Sequence, residues 1–277
     1  MANSPTNAFC VDVDDLAGSN FELGKSLREW RYTFEAETDL LLGELDALNI
    51  NGTFFVPGLV TENAPALVGR IHQLGHQIAS HGTRHCLVEA FEPQTYLDDV
   101  VRSKKTLEDM TGCEVDTYKA PVWSITPRCA WAYDVLMEAG FRVDNSAMPA
   151  TWRHLGGRPD SLEPICIADQ MWVIPVTSVR IFGFNVPMPG GFYNAYLPFQ
   201  LQRRIFDGIN GRDQPFNFYF HPYEHSPSHD SRRFLQHRSV FMTLYSLHVG
   251  RYLRLLREMS SHYRLSTLRN AYARWLD

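Results

Sequence analysis

The sequence predicts an α/β architecture built on mainly parallel strands, and three observations predict it. Short β-branched or aromatic runs alternate with amphipathic stretches along the chain. Four of the apolar runs end in reactive side chains, and parallel α/β folds collect function where strands end. The 277 residues, 44% of them hydrophobic, suffice for one large core, so residues 1–277 are read as a single domain.

The elements follow in order. Ala8 to Val13 is a short apolar run ending in acids. From Phe34 to Leu48 the leucines at 41, 45 and 48 fall near one helical face. Gly52 to Pro57 is β-branched and aromatic, as a buried strand is. Asn63 opens a helix with Pro65 in its first turn, ending near Leu74–Gly75. His76 to Ser80 is the next strand. Pro93 to Thr111 is the clearest helix: Leu97, Val100, Val101, Lys104 and Leu107 recur at helical spacing, and Gly112 stops it. Thr117 to Ala120 is a strand, Pro127 to Ala139 a helix closed by Gly140, and Arg142 to Ser146 a further strand. Ala147 to Pro198 is rich in Pro and Gly and predicts loops, with one strand near Trp172–Val176. Leu197 to Gly208 resumes a helix, Phe216 to Phe220 is an aromatic strand, and Leu235 to Met259 contains a long helix with Leu253 and Leu256 on its apolar side. There is no internal repeat.

Composition excludes several classes. The net charge is −5 and no basic block occurs, so the footprint of a nucleic-acid binder is missing. A mildly acidic surface also weighs against anionic membranes and phosphate-rich polymers, and suits a neutral sugar. The start, Met-Ala-Asn-Ser-Pro-Thr-Asn, lacks a cationic and then apolar leader, and no run reaches the roughly 20 apolar residues of a membrane span. A cytoplasmic protein is expected. Its five cysteines (Cys10, Cys86, Cys113, Cys129, Cys166) are irregularly spaced and read as reduced thiols, with Cys86 a bystander beside His85. No oligomer interface is legible.

Four strand ends carry chemistry. In Val11-Asp12-Val13-Asp14-Asp15, alternation puts Asp12 and Asp14 on one side; their repulsion calls for a metal or a nearby cation, unless they cap a solvated turn. In Ser80-His81-Gly82-Thr83-Arg84-His85, two histidines at i and i+4 fit one ion if a helical turn begins there. Two His nitrogens and one carboxylate leave coordination positions open, as a catalytic site requires. In Tyr118-Lys119-Ala120-Pro121-Val122, a buried lysine needs an anion, and Asp12 is the candidate; the alternative is a lysine reaching solvent. In Phe220-His221-Pro222-Tyr223-Glu224-His225, the first histidine is a candidate acid or base, or a structural one. That segment also matches H-x-x-E-H of a class of zinc peptidases. The motif needs a helix, and Pro222 after a strand argues against one.

Together these segments resemble the NodB-type polysaccharide deacetylases, carbohydrate esterase family 4. The resemblance rests on the acidic strand end, Gly-Thr-Phe-Phe-Val-Pro-Gly, Gly-His-Gln-Ile-Ala-Ser-His-Gly-Thr-Arg-His, Tyr-Lys-Ala-Pro and Phe-Tyr-Phe-His-Pro-Tyr-Glu, from about Phe9 to near Leu265. The stretches Val-Asp-Val-Asp-Asp, Tyr-Lys-Ala-Pro-Val-Trp-Ser-Ile-Thr and His-Pro-Tyr-Glu resemble the exopolysaccharide and surface-glycan branch. The resemblance implies a distorted (β/α) barrel of about seven parallel strands with a divalent metal at its mouth, zinc first, with cobalt, nickel or ferrous iron as substitutes. By position Asp12 matches the catalytic base, and Asp14, His81 and His85 match the metal triad with Asp15 as rival carboxylate. His221 matches the general acid, and Asp144 matches an acid that orients it. The backbone N–H of Val122 would hold an oxyanion.

The implied activity is removal of an N-acyl group from an amino sugar, in a polysaccharide or its lipid- or nucleotide-linked precursor. One position departs from the family: Lys119 stands where an arginine is usual, keeping the charge but losing the planar fork. Trp123 and Tyr193 are expected to bind substrate, and Trp152, Trp172 and Phe192 could also stack on sugars, although core packing explains such residues equally well. The rivals are a cytosolic amide or ureide hydrolase of the same superfamily, an inactive sugar-binding member, and a non-heme iron oxygenase. The helix pattern opposes the all-β scaffold usual for that last class.

Overall fold

A computed structural model describes residues 5–14, 34–149, 161–188, 190, 197–225 and 251–276. Its centre is β1 (Thr6–Asp12), whose last six residues are all buried. Around it lie β2 (Thr53–Val56), β3 (Gln77–Ser80), β4 (Thr117–Tyr118), β5 (Val143–Asp144), β6 (Ile165–Ile167), β7 (Met171–Val173), β10 (Asn217–Phe220) and β11 (Arg264–Ser266). The sheet order is β10-β1-β2-β3-β4-β5-β7-β6, with β11 also on β1. Every pairing is parallel except β6 with β7. The expected α/β class with mainly parallel strands is therefore observed, as a curved, half-barrel sheet.

Where the barrel would close, the ladder is replaced by side-chain bonds. Thr177 Oγ1 donates to the Asn217 carbonyl at 2.8 Å and accepts the Asn217 N–H at 2.6 Å, and Gly190 makes an isolated bridge to Tyr219. A second, two-stranded sheet is formed by the hairpin of β8 (Ser178–Ile181) and β9 (Phe184–Pro187).

On the outer face of the sheet pack α1 (Phe34–Ala47), α2 (Gly58–Asn63), α3 (Pro65–Gln73), α4 (Pro93–Thr111), α5 (Ala132–Glu138), α6 (Phe199–Asn210) and α8 (Tyr252–His262); α7 (Pro222–His225) contacts α1 and α8, and α9 (Leu268–Ala271) and α10 (Ala273–Leu276) pack against the inner cluster. Strand alternation sorts the core into two layers. Phe9, Val11, Phe54, Val56, Ile78, Tyr118, Phe218 and Phe220 point outward, into one large cluster with the helix faces. Ala8, Cys10, Phe55, Ala79, Val143 and Tyr219 point inward, into a smaller cluster. This parity fixes which side chains reach the mouth.

Several expectations need correction. The chain enters a short helix at Gly58, before the one begun at Pro65. The helix expected from Pro127 is a 3-10 turn over Pro127–Cys129 followed by α5. One further strand, β6, and the β8–β9 hairpin lie in the region read as loop with one strand. Of the long helix expected over Leu235–Met259, α8 is the described part; residues 226–250 lie outside the described residues. No helix among the described residues is long and apolar enough to cross a membrane.

His76, entering β3, shows how the core handles a titratable group. Its Nδ1 accepts the Gly52 N–H at 3.1 Å and its ring lies 4.7 Å from that of Phe54. Burial depresses its pKa from 6.5 to about 4. The unfolded chain therefore takes up a proton below about pH 6.5 that the folded chain refuses until about pH 4. Stability falls as pH drops through that window and is level above it. His76→Asn, whose Oδ1 can accept the same N–H, is expected to show a shallower loss of stability across the window in denaturant unfolding at several pH values.

Candidate active site

Parity carries one reactive side chain per strand to the interior of the mouth. Asp12 follows Cys10 by two positions, His81 follows Ala79, and His221 follows Tyr219, and these predecessors belong to the inward cluster. Lys119 follows the outward Tyr118 by one position. Asp12, His81 and Lys119 are buried and the His221 side chain is mostly so, so each needs a partner.

The innermost pair is Lys119 and Asp12. The lysine is 1% exposed, and its Nζ donates to both carboxylate oxygens, at 2.7 and 2.5 Å. Three rings close round the ammonium: Nζ lies 4.4 Å from the centroid of Tyr219, 4.9 Å from Trp123 and 5.3 Å from Phe55. A compact ammonium both bridges the carboxylate and takes cation–π stabilisation from the cage. This explains how lysine serves where the family resemblance leads one to expect arginine.

Above that pair lies the group that could hold a cation. Ligand-capable atoms of Asp14, His81 and His85 all fall within 4.8 Å of one another. His81 Nδ1–H donates to the Lys119 carbonyl at 2.6 Å, which fixes the tautomer and leaves Nε2 with its lone pair. Burial, with His85 beside it, holds His81 well below 6.5, so the ring is neutral. His85 Nε2 lies 3.2 Å from Asp14 Oδ2. Burial works to raise the Asp14 pKa, but the charge on His221 and the hydrogen bond from His85 lead the interactions that lower it overall. Asp14 Oδ1 is buried with no hydrogen bond among the described residues. A buried carboxylate oxygen of that kind, beside two imidazoles, is a donor set suited to a divalent cation. The rival ligand Asp15 lies outside the described residues.

The histidine loop is not the helical turn expected from the i, i+4 spacing. Gly82 turns the chain at φ +76° and His85 sits at φ +51°. The latter is costly for a non-glycine residue. Asp99, on the buried face of α4, holds the loop there: its Oδ2 accepts the Thr83 N–H at 2.8 Å, its Oδ1 accepts the Arg84 N–H at 3.1 Å, and its carbonyl accepts the Thr83 hydroxyl at 2.7 Å. Sequence reading missed Asp99. Its signal was an acid on the stripe of Tyr96, Val100, Ser103 and Leu107.

His221 faces the acids from the far side. Its Nε2 lies 3.6 Å from Asp14 Oδ1 and 4.0 Å from Asp12 Oδ2. Glu224 Oε2 accepts its backbone N–H at 2.7 Å and its Nδ1–H at 3.3 Å. Here two expectations are corrected. Asp144, expected to orient His221, instead accepts the Ser146 N–H at 2.9 Å and the Ser146 hydroxyl at 2.5 Å. Ser146 Oγ in turn accepts the Ala120 N–H at 2.7 Å, so Asp144 braces the Lys119 segment. Burial lifts the Asp144 carboxyl to about 7, with the Ser146 bonds opposing. Moreover, Pro222 does not prevent a helix. It opens the single turn of α7 at the first position, where its missing N–H costs nothing, while Glu224 reaches back to the preceding N–H. Glu224, passed over in sequence as part of a chance H-x-x-E-H match, is the residue that holds His221.

Val122 and Trp123 follow Lys119 at φ +56° and +52°, a strained pair beside the mouth. Trp123 is 7% exposed and packs edge-on against Tyr219 at 5.2 Å; it walls the Lys119 cage instead of offering a sugar platform. Tyr193, Trp152 and Phe192 lie outside the described residues.

Two outcomes are expected. Lys119→Met, which strands the Asp12 carboxylate, should lower unfolding free energy by about 3–5 kcal/mol, and much of that loss should return in the Lys119→Met/Asp12→Asn double variant, as read in a denaturant double-mutant cycle. For His221, burial alone would lower the pKa, but Asp14, Glu224 and Asp12 together raise it to about 9. Its contribution to stability is full below 6.5 and lost as pH rises through about 9. Nitrogen NMR of the metal-free protein should place the titration there, and Glu224→Gln should move it down.

Residues 20–142 match the family model described as polysaccharide deacetylase, and residues 145–273 match one described as a domain of unknown function, DUF3473. A peptidoglycan deacetylase of Helicobacter pylori is 26% identical over 153 residues, 53% of this chain and 51% of that protein. A peptidoglycan-N-acetylglucosamine deacetylase of Listeria monocytogenes is 31% identical over 91 residues, 32% of this chain and 20% of that protein. The chain thus spans about half of the first relative and a fifth of the second. Among solved structures, one described as a polysaccharide deacetylase, from Mycobacterium smegmatis, superposes with TM-score 0.58 at 22% identity, over 95% of this chain and 92% of that one. An allantoinase, Puue, does so with TM-score 0.62 at 15% identity, over 98% and 89%.

Proposed function

We propose, from the match of residues 20–142 to the polysaccharide deacetylase family, that the chain is a metal-dependent N-deacetylase acting on an N-acyl amino sugar. The substrate class is a glycan or its lipid- or nucleotide-linked precursor. One observation carries this reading: a carboxylate paired with lysine and a histidine held by glutamate flank the Asp14–His81–His85 group within one mouth.

Asp14, His81 and His85 would hold the ion. When bound there, a divalent cation would supply Lewis acidity, polarising the acyl carbonyl and acidifying water. The chain's own residues account for the remaining steps. Asp12, held by Lys119, is placed to take a proton from the attacking water. The Val122 N–H, on its left-handed turn, is offered to the developing oxyanion. His221, protonated and fixed through Nδ1 by Glu224, presents Nε2 to the leaving amine and donates the proton that completes it. Asp144 acts at a distance, through Ser146 and the Ala120 N–H, on the segment that carries Lys119. Cytoplasmic action belongs to the same proposal and is open to cell fractionation.

Fold alone does not select the amide, because an allantoinase shares it. Purified protein loaded with Zn2+ should release amine from N-acetylated amino sugars and leave ureides intact; the reverse would transfer the site to the ureide hydrolases. His221→Ala should lower turnover by ~10²–10⁴-fold with metal content unchanged by elemental analysis. His85→Ala should lose both metal and activity. Full turnover by the His221 variant would remove that residue from the chemistry.

A further inference from the structure

The β8–β9 hairpin carries an apolar tip that the described residues leave largely uncovered. Phe182 is 97% exposed, Phe184 56% and Ile181 40%. Ile181 and Phe184 are the last paired residues, so Phe182 and Gly183 are the whole loop. Both have positive φ, +49° and +84°, the two-residue turn for which Asn-Gly is the favoured pair. A phenylalanine in the first of these places strains the backbone and contributes almost nothing to the folded core. A residue that breaks the local rule without a folding gain marks a place where another requirement governs.

The charge beside the tip says what that requirement is. Between the hairpin and α6 runs an open groove of about 680 Å3, with Arg180 on one wall and Arg204 and Arg212 on the other. Arg180 Nε donates to Asn185 Oδ1 at 3.3 Å. Among the described residues, none of the three guanidiniums makes an ion pair, while Glu163 is the one acid on the lining. Three cations lying next to an apolar, protruding tip match an anionic lipid surface, where aromatic side chains enter the interface and arginines meet phosphates. A tip that projects from the fold suits a deformable medium better than a preformed protein or sugar surface. The net charge of −5 does not decide the matter, because charges beyond a Debye length of about 10 Å are screened while the three arginines act at contact.

We propose that the hairpin docks the protein on anionic bilayers, with Phe182, Ile181 and Phe184 inserted and Arg180, Arg204 and Arg212 on the headgroups. The tip shares no residue with the proposed active site, so the test needs no knowledge of the sugar substrate. The full chain would be sedimented with vesicles of phosphatidylcholine alone and of phosphatidylcholine mixed with phosphatidylglycerol, at low and high salt. Binding to the mixed vesicles that weakens with salt is expected, with little on phosphatidylcholine alone. Phe182→Asn should lower partitioning about tenfold or more while melting at or above the parent temperature, because asparagine suits the turn. Arg204→Gln with Arg212→Gln should remove most of the salt dependence. Failure to bind mixed vesicles at low salt, equal binding by Phe182→Asn, or binding only to a soluble acidic polysaccharide would overturn the proposal.

Discussion

A carboxylate and an ammonium cannot both sit inside a strand array unless each is the other's partner. The Lys119–Asp12 pair meets that condition with two hydrogen bonds and a cage of three rings, and the rest of the mouth is arranged around it. The lysine's own carbonyl takes the Nδ1–H of His81. The next N–H, of Ala120, is braced by Ser146 and, through it, by Asp144. The strained turn of Val122 and Trp123 follows at once. The proposed base, the histidine proposed to face the metal and the proposed oxyanion donor are thus tied to one short segment, and a shift of β4 would displace all three.

The second organising fact is parity. Four strands of this sheet, β1, β3, β4 and β10, lead into inward residues at the mouth, and period-two alternation determines that these are Asp12, His81, Lys119 and His221 and not their neighbours. Outward positions are occupied by Phe, Val and Tyr against the helices. A one-residue slip in any of these strands would send its charged side chain into the helix layer, where nothing neutralises it. Register and chemistry are therefore specified by the same pattern.

That link explains what could be read from the sequence. Strand ends at Asp12, His81, Lys119 and His221 were legible because apolar runs stop at charged residues, and the Asp12–Lys119 pairing followed from the need to neutralise a buried charge. The helix over 93–111 was legible to the residue because Pro93 and Gly112 bound it. What escaped depends on contacts distant in sequence or on backbone torsion. The Asp99 latch joins α4 to a loop sixteen residues earlier, and an acid on an apolar stripe does not announce its partner. Asp144 and Glu224 are both acids near the mouth, and only the fold shows which of them meets His221. The short helices at Gly58 and Pro222 were missed because a single turn has no period to detect. The β8–β9 hairpin hid in a Pro- and Gly-rich stretch because a Phe-Gly turn lacks the usual Asn or Asp signature.

The Asp99 latch has one more consequence. Because Asp99 already accepts the Thr83 and Arg84 N–H groups that lead into His85, the disorder of that loop is surrendered when the chain folds. A cation held at the proposed site would meet a receptor with little ordering left to do, and its affinity would reflect coordination chemistry nearly undiminished.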